Sequence, residues 1–159
     1  MAELPEIKAY LARFGIAVWE FTQLTHTAET AAAAVGCSVA EIAKTLLFLV
    51  GGQPVAVVTC GDMKVKSSLL KREFGLAGKV RLPAEEQVER YSGYKPGGVC
   101  PFLLPAELPL RLDSSLERFP LVYAAAGNSH SAAPVTLAQL RQLTGAEVAE
   151  ICGAGERRR

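Results

Sequence analysis

The sequence has few of the residues that bind metals, no closely spaced cysteine pair and no apolar run long enough for a membrane span. Its 159 residues include two histidines and four cysteines, and no two cysteines form a C-x-x-C pair. We therefore expect no structural metal site and no cofactor, and we expect reduced thiols in a cytoplasmic protein. The longest apolar run is too short to cross a bilayer, and the charged N-terminus does not resemble a signal peptide, so no membrane partner is predicted.

Familiar enzyme signatures are also missing. The chain contains no G-x-S-x-G, no Walker loop, no dinucleotide-binding glycine pattern and no H-E-x-x-H. Its formal net charge of +1 is unlike that of a dedicated nucleic-acid binder, and DNA is not an expected partner. Residues 61–81, however, contain six Lys and Arg and only two acidic residues, Asp62 and Glu73. This segment is either a solvated helix face or a surface that contacts phosphates.

Half of the residues are hydrophobic, and their spacing predicts alternating helices and strands without a repeat or linker. The predicted elements are, in chain order, a helix ending at Gly15, a strand over 17–23, helices over 28–35 and about 39–44, strands over 46–50 and 55–60, a basic helix over 67–74, a strand over 79–82, a helix after Pro83, strand segments within 108–116 and 119–127, a polar loop over 127–134, and a helix over 137–145. We expect one α+β domain over residues 1–152, with a mixed, largely antiparallel twisted sheet flanked by helices. A flexible tail is expected over 153–159.

Lys44 stands out because it interrupts the apolar stretch EIAKTLLFLV. Ser38 and Glu41 form the S-x-x-E pattern that opens a helix, which places Lys44 at the end of that helix, just before a buried strand. A lysine there can complement the helix dipole or extend its stem towards solvent. Alternatively, it is a cation at the floor of a pocket, where it attracts a phosphate or a developing oxyanion. The local pattern does not decide between these interpretations.

Two loops could also carry chemistry. The glycines of Gly97-Gly98-Val99-Cys100-Pro101 form either a tight turn or a loop whose amides hold a carbonyl or anionic oxygen. Cys100 is not supported as a nucleophile, since nothing in the sequence places an activating base beside it. In Gly127-Asn128-Ser129-His130, His130 is either a substrate-binding or acid/base group or a solvated loop residue. We interpret His26 as structural or superficial.

Four segments, taken in order, resemble a known family. They are THTAETAAAAVGCSVAEIAKTLLF (25–48), VAVVTCGDMKVKSSLLKREFG (55–75), VRLPAEEQVERYSGYKPGGVCPF (80–102) and TLAQLRQLTGA (136–146). Their motifs and spacing are similar to those of the YbaK/prolyl-tRNA-synthetase-associated editing domain family, with a family core at about residues 25–146. The resemblance implies the fold of that family and a free-standing trans-editing enzyme, an ester hydrolase that deacylates mischarged aminoacyl-tRNA.

The resemblance also implies roles for individual residues. Lys44 matches the functionally essential lysine and is the predicted catalytic residue. The predicted substrate-binding residues are Thr45, Gly97, Gly98, Pro101, Gly127 and His130. The predicted contacts with the tRNA acceptor end are Lys64, Lys66, Lys71 and Arg72. The chain departs from the family pattern at Asn128-Ser129-His130, and it has Ser67 and Ser68 where a lysine-rich version is common.

The implied substrates are Cys, Pro or Ala esters on tRNA-Pro or a related tRNA, and an aminoacyl-tRNA synthetase is a further possible partner. In the hypothesis that follows, amides of Gly97 and Gly98 polarise the ester carbonyl, and Lys44 positions the terminal adenosine or its phosphate. The attacking group would be water, assisted by the ribose hydroxyl, or a thiol of the substrate itself. The alternative is a non-catalytic module, associated with a synthetase, that binds the CCA end of tRNA or a nucleotide.

Overall fold

Five α-helices lie within residues 3–154, which are the residues that the computed structural model of the protein describes. They are α1 (Leu4–Ala12), α2 (Ala28–Val35), α3 (Ser67–Phe74), α4 (Glu85–Ser92) and α5 (Leu137–Thr144). Thr27 caps α2 by accepting a hydrogen bond from the N–H of Thr30, and Thr136 caps α5 through Gln139 in the same way. None of the helices in this range is long and apolar enough to cross a membrane.

Ten strands accompany these helices in the described part of the chain. They are β1 (Trp19–Glu20), β2 (Ile42–Val50), β3 (Gln53–Cys60), β4 (Met63–Val65), β5 (Val80–Arg81), β6 (Leu110–Asp113), β7 (Val122–Ala124), β8 (Ser131–Val135), β9 (Glu147–Ala149) and β10 (Cys152–Ala154). Eight of them form one sheet in the order β1-β8-β7-β2-β3-β6-β9, with β5 also beside β2, whereas β4 pairs with β10. Pairings of β2 with β7, of β3 with β6 and of β6 with β9 are parallel, and the others are antiparallel. The predicted α+β fold with a mixed, largely antiparallel sheet is confirmed.

The centre of the sheet is the hairpin of β2 and β3, in which Ala43 to Val50 pair with Gln53 to Cys60 without a break. Gly51 and Gly52 form its two-residue turn with φ of 57° and 87°. Positive φ at both turn positions matches the right-handed twist of the strands, and glycine adopts it without strain. The sequence GGQP therefore fixes the register of the longest strand pair in the fold.

The two faces of the sheet are covered by different helices. On one face, here called the α1/α5 face, Ala43 and Val58 belong to a core shared with Ile7 of α1 and Leu140 of α5. On the other, the α2/α3 face, α2 packs its small side chains on Ile42, and α3 packs Leu70 on Val50, Val55 and Val57. Since side chains alternate along a strand, Ile42, Lys44 and Leu46 point to the α2/α3 face, and Ala43, Thr45 and Leu47 point to the α1/α5 face.

The predicted helix over 39–44 is wrong. Ser38 and Glu41 do form the capping box, but only a 3-10 turn follows, over Val39–Glu41, and β2 starts at Ile42. Ile42 and Ala43 pair with β7, and the rest of β2 pairs with β3, so strand pairing outweighs the local helix signal. Lys44 is therefore a residue within a strand, and the explanation from a helix dipole does not apply to it.

Other differences concern short strands at the sheet margins. The predicted strand over 17–23 is reduced to β1, and the segment predicted as a polar loop over 127–134 contains most of β8. Strands β4, β9 and β10 were not predicted from the sequence, since three-residue strands carry too little alternation to be recognised. Gly153 and Ala154, assigned above to the tail, pair with β4, and residues 155–159 lie outside the described residues.

A buried carboxylate joins the last strands to the centre of the sheet. Asp113, at the end of β6, is 1% exposed and accepts hydrogen bonds from the N–H groups of Ile151, Cys152 and Ser115 at 2.8, 3.0 and 3.0 Å. The hydroxyl of Thr59 on β3 lies 3.5 Å from the same carboxylate. Each oxygen has donors, so dipoles compensate the buried carboxylate, which forms no ion pair with any of residues 3–154.

We expect Asp113→Asn to destabilise the protein, because one carboxylate oxygen would become an amide that cannot accept the N–H of Ser115. The free energy of unfolding should fall by about 1–3 kcal/mol, the usual effect of leaving a buried donor unpaired. Urea unfolding followed by circular dichroism measures it. Glu117→Gln makes the same chemical change at an exposed position and should shift stability by less than about 0.5 kcal/mol. Equal stability of both variants would contradict this role for Asp113.

Candidate active site

A cavity of about 320 Å³ opens where β7 separates from β2. β7 pairs with β2 only at Ile42 and Ala43, and β5 pairs with β2 only at Leu49 and Val50. Among residues 3–154, the edge of β2 between these two contacts has no strand partner. The cavity lies against the first half of this open edge, and Lys44, Thr45 and Leu46 line it.

The open edge presents backbone groups to the cavity. In a two-residue hairpin the closing pair, Val50 and Gln53, exchanges its hydrogen bonds inside the hairpin, and alternate residues then direct N–H and C=O to opposite sides. Leu49, Leu47 and Thr45 are thus turned away from β3. Leu49 meets β5 on that side, whereas Thr45 lies where the cavity begins. One N–H donor and one C=O acceptor of Thr45 are therefore directed to the space that a ligand would occupy.

Lys44 supplies positive charge on the α2/α3 face of this cavity. Its side chain is half-buried, opposite Thr59 of β3, and it makes no ion pair or hydrogen bond within the described residues. Its charge also acts on the Cys152 thiol, whose pKa burial raises to about 12 while Lys44 opposes the rise. An unpaired ammonium that is partly removed from water attracts an anionic or polar ligand more strongly than an exposed one does.

Thr45 is turned to the α1/α5 face and contributes a second polar group. Its hydroxyl oxygen is buried and has no hydrogen-bond partner in the described part of the chain. Buried hydroxyl groups are normally paired, and an unpaired one costs about 1–3 kcal/mol. Adjacent residues of β2 thus line the cavity, Lys44 with its cation on the α2/α3 face and Thr45 with a buried, unpaired hydroxyl on the other side of the sheet.

The glycine loop approaches the cavity through one of its two glycines. Gly97, with φ of 87°, lines the cavity and faces His26, whose Cβ lies 3.1 Å from where a Cβ of residue 97 would be. The N–H of Gly98 donates to the carbonyl of Lys95 at 2.9 Å, so this amide is engaged in the loop's own turn. The hypothesis that both amides polarise a substrate carbonyl therefore needs revision, because Gly98 is already paired.

Gly98 instead joins the two predicted loops. A Cβ at residue 98 would lie 2.9 Å from Cα of Asn128, so the loops pack backbone to backbone. Gly98 and Gly127 line a second cavity of about 350 Å³ next to this contact. They support the wall of the first cavity without being part of its lining.

The remaining predicted residues lie elsewhere. Pro101 lines a surface depression beside Leu103 and Gly145. His130 is exposed, with its Nδ1 3.2 Å from the carbonyl oxygen of Gln23, and it does not line the first cavity. His26, interpreted above as structural or superficial, is in the wall of that cavity. Its place in the wall could not be predicted from the sequence, because it depends on contact with the Gly97 loop, which is distant along the chain.

Cys100 does not have the properties of a nucleophile. The side chain is fully buried, and burial raises the pKa of its thiol to about 12, which keeps it protonated at neutral pH. Its sulfur lies 3.7 Å from the carbonyl oxygen of Phe102, to which the thiol donates. Within residues 3–154 no three His, Cys, Asp or Glu side chains are grouped so as to hold a metal ion.

The predicted RNA contacts lie on and beside α3. Lys64 on β4, Lys66 before α3 and Arg72 in its last turn are exposed, whereas Lys71 is half-buried and donates to the carbonyl of Gly78 at 3.2 Å. Because α3 packs on the face to which Lys44 points, these charges and Lys44 belong to the same side of the molecule. We call Lys64, Lys66 and Arg72 the basic patch.

Comparisons with known proteins identify the family. The model of the aminoacyl-tRNA editing domain matches residues 22–143. The chain is 36% identical to YwhH of Bacillus subtilis over 132 residues. The aligned region covers 82% of this chain and 83% of that protein. It is 32% identical over 138 residues to a proline--tRNA ligase of Nitratidesulfovibrio vulgaris, and it spans only 24% of that much longer enzyme.

Solved structures agree with this assignment. APE2540 superposes with a TM-score of 0.82 at 31% identity, over 92% of this chain and 99% of that one. A candidate trans-editing enzyme for prolyl-tRNA synthetase superposes with a TM-score of 0.82 at 30% identity, over 97% of this chain and 99% of the other. The chain belongs to the aminoacyl-tRNA editing domain family.

We expect Gly97→Ala to impair the cavity more than an equivalent change elsewhere. Gly97 and Gly52 have the same φ of 87°, but a Cβ at residue 52 would meet nothing within 4 Å, whereas one at residue 97 would press on His26. Both substitutions should cost about 1–2 kcal/mol of stability through backbone strain. Urea unfolding and the hydrolysis of mischarged tRNA that we propose below, measured for both variants, separate the two effects. Only Gly97→Ala should reduce hydrolysis, and equal activity of the two variants would exclude a role for the Gly97 wall.

Proposed function

We propose that this protein hydrolyses the ester between an amino acid and the 3′ end of a mischarged tRNA, and that it acts in trans. The observation that carries the proposal is the cavity at the open edge of β2, which is lined by Thr45, by Gly97 and by Lys44, whose ammonium has no partner among residues 3–154. Family membership supports the same activity. Likeness to a candidate trans-editing enzyme supports action on a tRNA released by its synthetase.

The chemistry needs orientation rather than a protein nucleophile. Water attacks the carbonyl carbon of the ester, the bond to the ribose oxygen breaks, and that oxygen takes up a proton, which leaves a free amino acid and a free tRNA end. Donors at the cavity rim, such as the N–H of Thr45 and that of Gly97, are suited to stabilise the carbonyl oxygen as negative charge develops there. In this proposal the Lys44 ammonium holds the terminal nucleotide through its phosphate or hydroxyl groups, so that water and ester meet in attack geometry.

The lining of the cavity is rich in small apolar side chains. It includes six alanines, at positions 28, 31, 43, 124, 125 and 132. We propose Cys, Pro or Ala esters as substrates, carried by tRNA-Pro or a related tRNA. The likeness to prolyl-tRNA synthetases supports that choice of tRNA, and it makes a synthetase a candidate partner. Hydrolysis of a panel of mischarged tRNAs, each charged with one amino acid, would rank the substrates directly.

Lys44→Ala should reduce the rate of deacylation by roughly 100-fold, because a terminal nucleotide that is no longer held misplaces the ester relative to the attacking water. Single-turnover hydrolysis of mischarged tRNA, followed by loss of radiolabelled amino acid, measures it. Arg141→Ala removes an exposed basic side chain of α5, on the α1/α5 face, and should retain the wild-type rate. Wild-type hydrolysis by Lys44→Ala would refute the mechanism. Retained tRNA binding without hydrolysis by the wild-type protein would instead indicate a binding module.

The basic patch should contribute to tRNA affinity through phosphate contacts. Replacing Lys64, Lys66 and Arg72 by Gln should weaken tRNA binding. It should also make the dependence of log K on log salt less steep by about 2, since each phosphate contact contributes about −0.7 to this slope on a single strand. Lys71 is left intact because its ammonium holds the Gly78 carbonyl.

Filter binding at several salt concentrations measures this slope. The matched control is the double variant Arg13→Gln, Arg141→Gln, which removes exposed charge from α5 and the end of α1, on the other side of the sheet. An unchanged slope in the triple variant, or the same decrease in the control, would show that these side chains do not meet the RNA.

A further inference from the structure

Two aromatic side chains adjoin the cavity, and the mechanism above does not use them. The ring of Trp19 lies against that of Tyr123, with centroids 5.6 Å apart and planes inclined by 41°. Tyr123 lines the cavity that holds Lys44. Trp19 lies on β1, the outermost strand of its side of the sheet, and it is 39% exposed. It is also the only tryptophan in the chain.

The strand register places both rings on the face to which Lys44 points. Tyr123 is paired with Ile42, two residues before Lys44, and directly paired residues share a face. On its other side Tyr123 pairs with Pro134 of β8, and Trp19 pairs with Ala132, two residues away on the same strand. Trp19, Tyr123 and Lys44 therefore lie in a row across the α2/α3 face.

Packing accounts for Tyr123 but not for the outer ring. Tyr123 contacts the small cluster of Ala31, Ala32 and Ile42 beneath α2. Trp19 belongs to none of the buried clusters of the described residues, and both residues of β1 are exposed. Tyr123 thus buttresses an indole ring that remains accessible to a planar ligand. Such rings are the surfaces on which nucleobases stack in complexes with single-stranded nucleic acid.

We propose that Trp19, supported by Tyr123, stacks the terminal adenine of the tRNA acceptor end. The inference rests on the proposed function, which places the ester, and hence the ribose that carries it, in the cavity. The adenine attached to that ribose must leave the cavity over its rim, and Tyr123 is the residue that connects the cavity wall with the Trp19 ring. Lys44 then meets the sugar-phosphate portion, and Trp19 meets the base.

Because Trp19 is the only tryptophan, its fluorescence reports stacking directly. The probes are the trinucleotide CCA, the same trinucleotide with an abasic 3′ residue, and adenosine 5′-monophosphate, each titrated into the unmodified protein. Quenching by CCA, with little or none by the abasic trinucleotide, is expected. Equal quenching by both trinucleotides would exclude stacking of the base. Quenching by adenosine 5′-monophosphate as strong as that by CCA would overturn the assignment to an RNA end.

Kinetics of two variants test the role in the reaction. Trp19→Ala should raise KM for mischarged tRNA by roughly 10-fold to 100-fold, as expected from the loss of one stacked base, with kcat nearly unchanged. Trp19→Phe keeps an aromatic face and should stay within a few-fold of wild type. Leu82→Ala, another exposed apolar side chain, is the control and should leave KM unaltered. Thermal unfolding checks that all variants are folded.

These readouts separate the inference from the function on which it rests. If the wild-type protein hydrolyses mischarged tRNA, but CCA does not quench and Trp19→Ala has the wild-type KM, the stacking role is wrong and the hydrolase remains. If no mischarged tRNA is hydrolysed while CCA still quenches, the stacking role stands without the hydrolase. Equal KM values of Trp19→Ala and Trp19→Phe, both raised, would also contradict stacking, since only one of them lacks an aromatic ring.

Discussion

The unequal pairing of β2 is the constraint on which the rest of the site depends. One edge of this strand is paired with β3 along nearly its whole length, and the other edge meets β7 at its start and β5 at its end. A strand edge left open in this way exposes unpaired N–H and C=O groups, which can pair with another strand unless the edge is covered. Here the opening is enclosed by Gly97 and by the segment around His26, so the exposed groups face a cavity of limited size.

Interactions on the far side of the hairpin keep this edge in position. Thr59 lies opposite Lys44, and its hydroxyl is near the carboxylate of Asp113, which in turn holds the N–H groups of Ile151 and Cys152. The β3 strand is therefore tied, at the level of Lys44, to β10 and to Ile151 just before it. This explains how a short strand such as β10, distant in sequence, contributes to the stability of the site without lining it.

Local sequence signals predict the elements whose ends are set by capping or turn residues next to them in the sequence. The bounds of α2 and α3 follow from Thr27 and from Gly75, and the turn of the central hairpin follows from Gly51-Gly52. The same reasoning failed at Lys44, because a real capping box at Ser38 was followed by residues that pair with distant strands. It also could not place His26 in the cavity wall, since the contact with Gly97 exists only after the loops have folded together.

The proposed function divides recognition between two regions with different physics. In that proposal the amino acid lies in the cavity, against alanine side chains and the backbone of β2, where one methylene changes the transition-state energy by about 1–3 kcal/mol. The α2/α3 face carries charge and aromatic surface, which are suited to bind an acceptor end with little regard to the attached amino acid. An ester is already activated, so the proposed reaction needs its carbonyl to be placed against the donors of the open edge. The proposal therefore does not require Cys100, whose thiol is buried and protonated, to act as a nucleophile.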